Sequence, residues 1–191
     1  MALTTKLEAV NTMLGVIGES PVNTISGSSL PVSVVMALNV LDEVSREVQS
    51  EGWHFNTEFE YPLVRNSSNK FSLPTNTLKI DTPIDKYTDI DVVQRGTSLY
   101  DRKNHTDVFN EDLEVTITFE LAFEDLPQQF RTYINIKAAR KFANRFLGSP
   151  EIESFTLRDE INAKATAVDS DSENADRTIF DNYDVLRVID R

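Results

Sequence analysis

The periodicity of the chain changes at the stretch 53-WHFNTEFEYPL-63. Before it, apolar residues recur every three or four positions, which is typical of one face of an α-helix. Within it, apolar and polar residues alternate, which is typical of a β-strand with one buried face. Gly52 lies immediately before the change and is suited to end a helix. The sequence therefore predicts a helical segment that gives way to a strand-rich segment at this point.

Helices are predicted on both sides of the strand-rich segment. The first covers residues 5–17, with Gly18 in the left-handed position at its end, and the second begins at Pro31. Two more follow the strands, one from Pro127 to Gly148 and one from Pro150 to about residue 168, because each starts with a first-turn proline. The sequence thus predicts a bundle of about four helices.

The middle of the chain carries short alternating segments separated by turn residues. Besides 53–63, strands are predicted at 78–80 and 113–119, with a tight hairpin at 92–100 around Arg95-Gly96-Thr97-Ser98. The predicted fold class is α+β: a helical bundle built from the N- and C-terminal parts, with a central β-rich insertion and an extended C-terminal tail. The predicted domains are residues 1–52 and 122–168 for the two parts of the bundle, 53–121 for the insertion, and 169–191 for the extended arm.

The last 23 residues change character twice. Residues 169–176 are acidic and polar, which predicts a solvated linker, and the spacing Asp169, Asp171, Glu173 only resembles a calcium loop. Asn174 and Phe180 stand where such a loop needs glycine and a bidentate glutamate, so no metal is predicted. An apolar cluster follows, which either folds back on the bundle or, as we favour, docks on another protein. Its members are Ile179, Phe180, Tyr183, Val185, Leu186, Val188 and Ile189.

Composition restricts the possible functions. The 191 residues include 31 acids and 19 Lys or Arg, a net charge of −12, so the average field repels nucleic acid. There is no cysteine, which excludes disulfides, thiolate metal sites and cysteine nucleophiles. No apolar run reaches the ~20 residues of a membrane span. These properties leave a soluble enzyme, a binding module or a building block of an assembly.

Catalytic motifs are absent from the sequence, and we predict no cofactor. Carboxylate pairs such as Glu58 with Glu60, or Glu124 with Asp125, are the type that glycoside hydrolysis uses, but 31 acids produce such pairs by chance. The histidines, His54 and His105, could each act as a base, yet the sequence offers little else for a triad or metal site. A glycan hydrolase acting through a carboxylate pair stays open as an alternative, as does a generic acidic interaction module.

The third predicted helix is cationic in an acidic chain. Residues 127–148 contain five cations and no acid. Three interpretations stay open: pairing with acids of the next helix such as Glu153 and Glu160, an interface with a neighbouring subunit, or a contact with DNA. The candidate subunit-interface residues are Arg131, Lys137, Arg140, Lys141 and Arg145.

The order and spacing of short motifs along nearly the whole chain resemble the tail tubular protein A family, the adaptor subunits in the tails of short-tailed bacteriophages. The motifs in the first part of the chain are Ala9-Val10-Asn11, Leu14, Ile17-Gly18-Glu19, Pro21-Val22, Arg46-Glu47-Val48-Gln49-Ser50, Gly52-Trp53 and Phe55-Asn56. Those in the rest are Leu73-Pro74, Leu78, Arg95-Gly96, Tyr100-Asp101, Leu126-Pro127, Arg131, Tyr133-Ile134, Ala138-Ala139-Arg140 and Arg145-Phe146.

The resemblance implies a structural role without catalytic residues. It implies a ring of twelve copies of the chain, made in the host cytoplasm and placed in the virion between the portal protein and the tail nozzle protein. DNA would pass through the ring on ejection without sequence-specific binding, and an acidic wall suits that passage. On this interpretation the C-terminal apolar cluster docks on the portal or on a neighbouring subunit.

Overall fold

The computed structural model describes residues 3–27, 29–148 and 150–175. The chain forms two compact units, one from the described parts of Met1–Val44 and Phe123–Arg191 and one from Ser45–Ala122. The helices are α1 (Lys6–Val16), α2 (Val32–Gln49), α3 (Gln128–Leu147) and α4 (Pro150–Asn174). The strands are β1 (Thr57–Leu63), β2 (Thr77–Asp81), β3 (Val92–Arg95), β4 (Ser98–Asp101) and β5 (Leu113–Phe119). The predicted α+β class with a central strand-rich insertion is confirmed, whereas the predicted division into four segments stays a prediction.

Local capping explains where the helices begin and end. Thr5 caps α1: its hydroxyl accepts a hydrogen bond from the Glu8 backbone N–H, and the Glu8 carboxylate accepts one from the Thr5 N–H at 2.7 Å. Gly148 ends α3 with φ +61°, the left-handed conformation that glycine adopts without strain. These features confirm the predicted ends of both helices to within two residues.

The first unit is held together by apolar side chains from all four helices. α3 packs against both α1 and α4, and small residues on α3 and α4 allow their backbones to approach closely. The buried side chains are Ala9, Val10, Met13 and Leu14 of α1, Val34, Ala37, Val40, Leu41 and Val44 of α2, Phe130, Tyr133, Ile134, Ala138, Ala139, Phe142 and Ala143 of α3, and Ala167 of α4.

The helix α4 is longer than predicted. The sequence predicts a solvated linker from residue 169, but the helix continues to Asn174, and the Ala175 N–H still donates to the Asp171 carbonyl at 3.0 Å. Once a helix is nucleated, each added residue gains a hydrogen bond at little further entropic cost, so polar residues can extend it. Residues 169–174, which the sequence predicts as part of a solvated linker, are therefore helical. The acids Asp169, Asp171 and Glu173 lie on a helix and do not form a calcium-type loop.

The second unit contains two antiparallel sheets. One has three strands in the order β1-β5-β2, and the other is the β3-β4 hairpin, whose two-residue turn has Gly96 at φ +62° as predicted. The two sheets share one apolar core. Its members are Leu63, Phe71, Leu73, Ile80, Val92, Leu99, Phe109, Leu113, Val115 and Ile117.

The strand predicted to begin at Trp53 begins four residues later. A 3-10 turn, His54–Asn56, precedes β1, because the Asn56 side chain accepts a hydrogen bond from the Trp53 N–H and holds the chain in a turn. A bulge then shifts the register between Glu58 and Tyr61, with Glu60 at φ +55°. Phe59 lies within the bulge and is exposed rather than buried, whereas Tyr61 and Leu63, which follow the bulge, pack on the apolar core of the unit.

Candidate assembly surfaces

The cationic helix α3 distributes its five positive charges over different environments. Arg131 is 5% exposed and lies inside the first unit. Its Nε donates to the Leu126 carbonyl at 2.8 Å, one terminal nitrogen donates to the Thr4 carbonyl at 2.8 Å, and the other to the Glu124 carbonyl. The guanidinium thus ties the N-terminal segment and the 3-10 turn Phe123–Asp125 to α3. The Arg131 donors are therefore directed into its own chain, and its predicted subunit contact stays a prediction for the assembled protein.

Arg140 binds the next helix, as one of the three sequence interpretations predicts. Its Nε donates to Glu160 of α4 at 2.5 Å, and both side chains are largely shielded from solvent. Partial burial strengthens such a charge-assisted hydrogen bond relative to an exposed one. The pair therefore contributes to fixing α4 on α3.

Two further cations of α3 bind an acid on α2. Arg145 donates to both carboxylate oxygens of Glu43 at 2.8 and 3.0 Å, and the ammonium of Lys141 lies 2.8 Å from the same carboxylate. Lys137 lies over the ring of Tyr133, 5.6 Å from its centre. Glu43 was not predicted as a partner, because sequence alone does not say which face of α2 meets α3. The subunit-interface hypothesis for Lys137, Arg140, Lys141 and Arg145 stays a prediction for the assembled protein.

The ion-pair cluster of Glu43, Lys141 and Arg145 predicts that the stability of the helical unit depends on pH. Hydrogen bonds from Arg145 and Lys141 lower the pKa of Glu43 to about 2. A lowered pKa in the folded state adds stability above the unfolded value of about 4.3, and this is lost as pH falls toward 2. We expect Glu43→Gln to lower the melting temperature at pH 6 and to converge with the wild type near pH 2 in thermal scans.

The matched control for this prediction is Glu58→Gln, which removes an exposed glutamate on β1. The effect of Glu43→Gln should also shrink in high salt, because the cluster is solvent-exposed and its charges are screened. If the melting temperatures of the wild type and Glu43→Gln differed by the same amount at every pH from 6 to 2, ionised Glu43 would not be the stabilising group.

Two helix faces of the first unit expose apolar side chains. On α4, Leu157, Ile161 and Val168 are 43%, 60% and 38% exposed. At the start of α2, three more side chains share one face. They are Val32, Val35 and Met36, at 76%, 43% and 39% exposed. The sequence alone does not reveal either face, because apolar residues at helical spacing are as typical of a buried stripe as of an exposed one.

The residues considered for hydrolysis lie at exposed positions. His54 and His105 are exposed in separate turns of the second unit. Glu58 and Glu60 are exposed on β1, with Glu60 inside its bulge, and Glu124 and Asp125 are exposed in the 3-10 turn before α3. Neither pair lines the cavity of the second unit that is described next.

A cavity of about 160 Å³ in the second unit is lined by Asp101 and Glu111 together with Ile90 and Phe109. The buried Asp101 is fully engaged: it accepts hydrogen bonds from the Asn104 side chain at 2.6 Å and from three backbone N–H groups. Burial raises the pKa of Asp101, but these hydrogen bonds outweigh it and lower the pKa below its ordinary value. Asp101 therefore holds the turn after β4 in shape and is poorly suited to donate a proton.

The described residues contain neither a metal-binding cluster nor a membrane-spanning helix. Among residues 3–27, 29–148 and 150–175, no group of three or more His, Asp or Glu side chains is arranged to hold a metal ion. Within the same part of the chain, no helix is both long and apolar enough to cross a bilayer.

Comparison with known proteins gives the class of the protein. Residues 7–177 match the model of a family described as tail tubular protein. Tail tubular protein A of Klebsiella phage KP34 is 26% identical over 156 residues, which cover 81% of this chain and 81% of that protein. The chain is therefore a structural component of a phage tail. It belongs to the tail tubular protein family, which confirms the resemblance carried by the sequence motifs.

Proposed function

We propose that the chain is the subunit of an adaptor ring that joins the portal of the capsid to the tail nozzle and forms part of the channel for DNA ejection. The observation that carries this proposal is the family match over residues 7–177, which spans both units. A ring of many identical copies, twelve by the resemblance, requires each copy to offer surfaces to its neighbours. The exposed apolar faces of α2 and α4 supply such surfaces.

The charge of the chain supports a channel role. A net charge of −12 on each of many copies gives a ring of strongly negative potential. DNA phosphates are repelled by such a wall, so the duplex slides without binding. Three α3 cations that could bind phosphate locally, Arg140, Lys141 and Arg145, are engaged by Glu160 and Glu43.

The alternative of a tail-associated glycan hydrolase has less support, because neither candidate carboxylate pair lines the cavity of the second unit. It would be favoured by turnover of capsular or cell-wall glycan that one carboxylate substitution abolishes. The alternative of a generic acidic interaction module would be favoured by a chain that binds neither itself nor the portal protein.

The C-terminal cluster, Ile179, Phe180, Tyr183, Val185, Leu186, Val188 and Ile189, lies outside the described residues. We keep the proposal that it docks on the portal or on a neighbouring copy, since seven apolar residues in eleven are unfavourable in contact with water.

A deletion of residues 178–191 tests this function. We expect the truncated chain to melt within about 2 °C of the full chain, because a docking segment adds no core to the isolated protein. Attachment to purified portal rings, measured by mass photometry, should be lost. Deletion of 190–191 alone is the control, since it spares the apolar cluster and should retain attachment. A large fall in melting temperature would show instead that the segment belongs to the core of the monomer.

A further inference from the structure

The apolar stripe of α4 is separate from the face that packs on α3. Ala167 is buried and Glu160 is bound to Arg140, which marks the side of α4 that faces α3. At 100° per residue, Leu157, Ile161 and Val168 lie within about 40° of one another and roughly 100° away from Ala167. Water contacts this stripe along about three turns of the helix. We call Leu157, Ile161 and Val168 the α4 stripe.

The apolar face at the start of α2 lies opposite the buried face of the same helix. The core side is formed by Val34, Ala37 and Leu41. By helical geometry, Val32 points roughly 180° away from the centre of that side, and Val35 and Met36 flank Val32 at roughly 130° from it. Because the three side chains are exposed on one side of the helix, we call them the α2 face.

We propose that the α4 stripe of one copy docks on the α2 face of the next copy, in a head-to-tail contact that repeats around the ring. This rests on the proposed ring function and names the surfaces that build it. A ring closed by rotation uses two different surfaces on each copy, one for each neighbour. The helical unit presents two such surfaces on two different helices.

Charge selects this pairing over contact between two α4 stripes. Residues 157–175 carry two cations and five acids, a net charge of −3, so two α4 helices would repel one another. Residues 29–41, which include the α2 face, carry no charged side chain. An acid of the same chain, Glu19, already accepts a hydrogen bond from Ser33 in the first turn of α2 at 2.6 Å. The α2 face therefore meets α4 through its apolar side chains and without a like charge.

The size of the two faces matches a contact that is weak alone and strong in a closed ring. Three partly exposed side chains cover on the order of a few hundred Å², below the ~800 Å² per partner of a standard stable interface. A single contact should leave the isolated chain monomeric at micromolar concentration. In a closed ring, every copy makes two contacts. The last contact joins two ends of the same assembly, so ring closure makes assembly cooperative.

Crosslinking tests the pairing directly, because the chain contains no cysteine. The double variant Ile161→Cys with Val35→Cys, assembled on portal rings and treated with a short bis-maleimide, should give a ladder of covalent multimers. A mixture of the two single variants should give covalent dimers and nothing larger, and each single variant alone should give none. Ile84→Cys, which is 84% exposed in the second unit, is the matched control and should not crosslink.

Charge substitutions give an independent readout. Ile161→Glu and Val32→Glu should each reduce ring assembly by about tenfold or more, because an unpaired carboxylate would be buried against an apolar face. Both variants should keep the wild-type melting temperature, since the positions are exposed in the monomer. Ile84→Glu should assemble normally.

The outcomes separate the inference from the function on which it rests. Crosslinking of Ile161→Cys to itself, or rings that form normally with both glutamate variants, would overturn the pairing while leaving the ring function intact. A wild-type chain that stays monomeric with portal rings present would overturn both.

Discussion

Replacing Arg131 by methionine is expected to lower the free energy of unfolding of the helical unit by about 3 kcal/mol. The guanidinium is 5% exposed and satisfies the carbonyls of Thr4, Glu124 and Leu126. Methionine fills a similar volume but donates nothing, so three acceptors lose their partner away from water. For a unit of this size, such a change lowers the melting temperature by about 10 °C in calorimetry.

Two further variants separate charge from geometry at this position. Arg131→Lys keeps the positive charge but cannot reach three carbonyls in three directions, so it should be intermediate. Arg158→Met removes an exposed arginine of α4 and should change the melting temperature by about 2 °C or less. Equal effects of Arg131→Met and Arg158→Met would show that the three hydrogen bonds add nothing to stability.

Replacing Gln49 by leucine is expected to cost about 2–4 kcal/mol of unfolding free energy in the second unit. The fully buried amide donates to the Leu121 carbonyl at 3.1 Å and accepts from the Leu121 N–H at 2.8 Å. It also donates to the Ser45 hydroxyl at 3.0 Å. Leucine would leave the Leu121 N–H and carbonyl without these partners, at the point where the chain leaves the strand-rich unit.

Asn56 extends the same network and provides the test. Its amide donates to the Gln49 and Phe119 carbonyls at 3.0 and 2.9 Å. Both side chains hold the same backbone segment, because Gln49 bonds to Leu121 and Asn56 bonds to Phe119. A segment released by one substitution has less to lose from the other, so the double variant Gln49→Leu with Asn56→Leu should cost less than the sum of the single variants in a denaturant cycle. The control is Asn110→Leu, which lies at an exposed position and should change the free energy of unfolding little. Strictly additive costs would contradict a coupled network.

The sequence predicts the features of this fold that depend on local chemistry. The ends of α1 and α3 follow from Gly18 and Gly148, and the β3-β4 hairpin follows from Gly96, because each requires a conformation that few other residues adopt. Alternation locates β5, which is the central strand of its sheet and has regular pairing over most of its length.

Features that depend on tertiary packing could not be predicted from the sequence. The bulge at Glu60 interrupts an alternation that continues unbroken in the sequence. The acidic residues 169–174 indicate a solvated linker because they offer almost nothing to bury, yet they extend an established helix. The sequence gives no sign that Arg131 of α3 is buried, because one of its contacts is with Thr4, far away in the chain. It likewise does not indicate that Glu43 of α2 binds both Lys141 and Arg145.

A cryo-electron microscopy reconstruction of the intact virion tests the central claim most directly. The account predicts a closed ring of copies of this chain between the portal and the tail nozzle, with a continuous axial channel wide enough for duplex DNA. It also predicts that the α4 stripe of each copy contacts the α2 face of its neighbour. A particle in which the chain is absent from the junction, or present there as isolated copies without a closed ring, would contradict the claim.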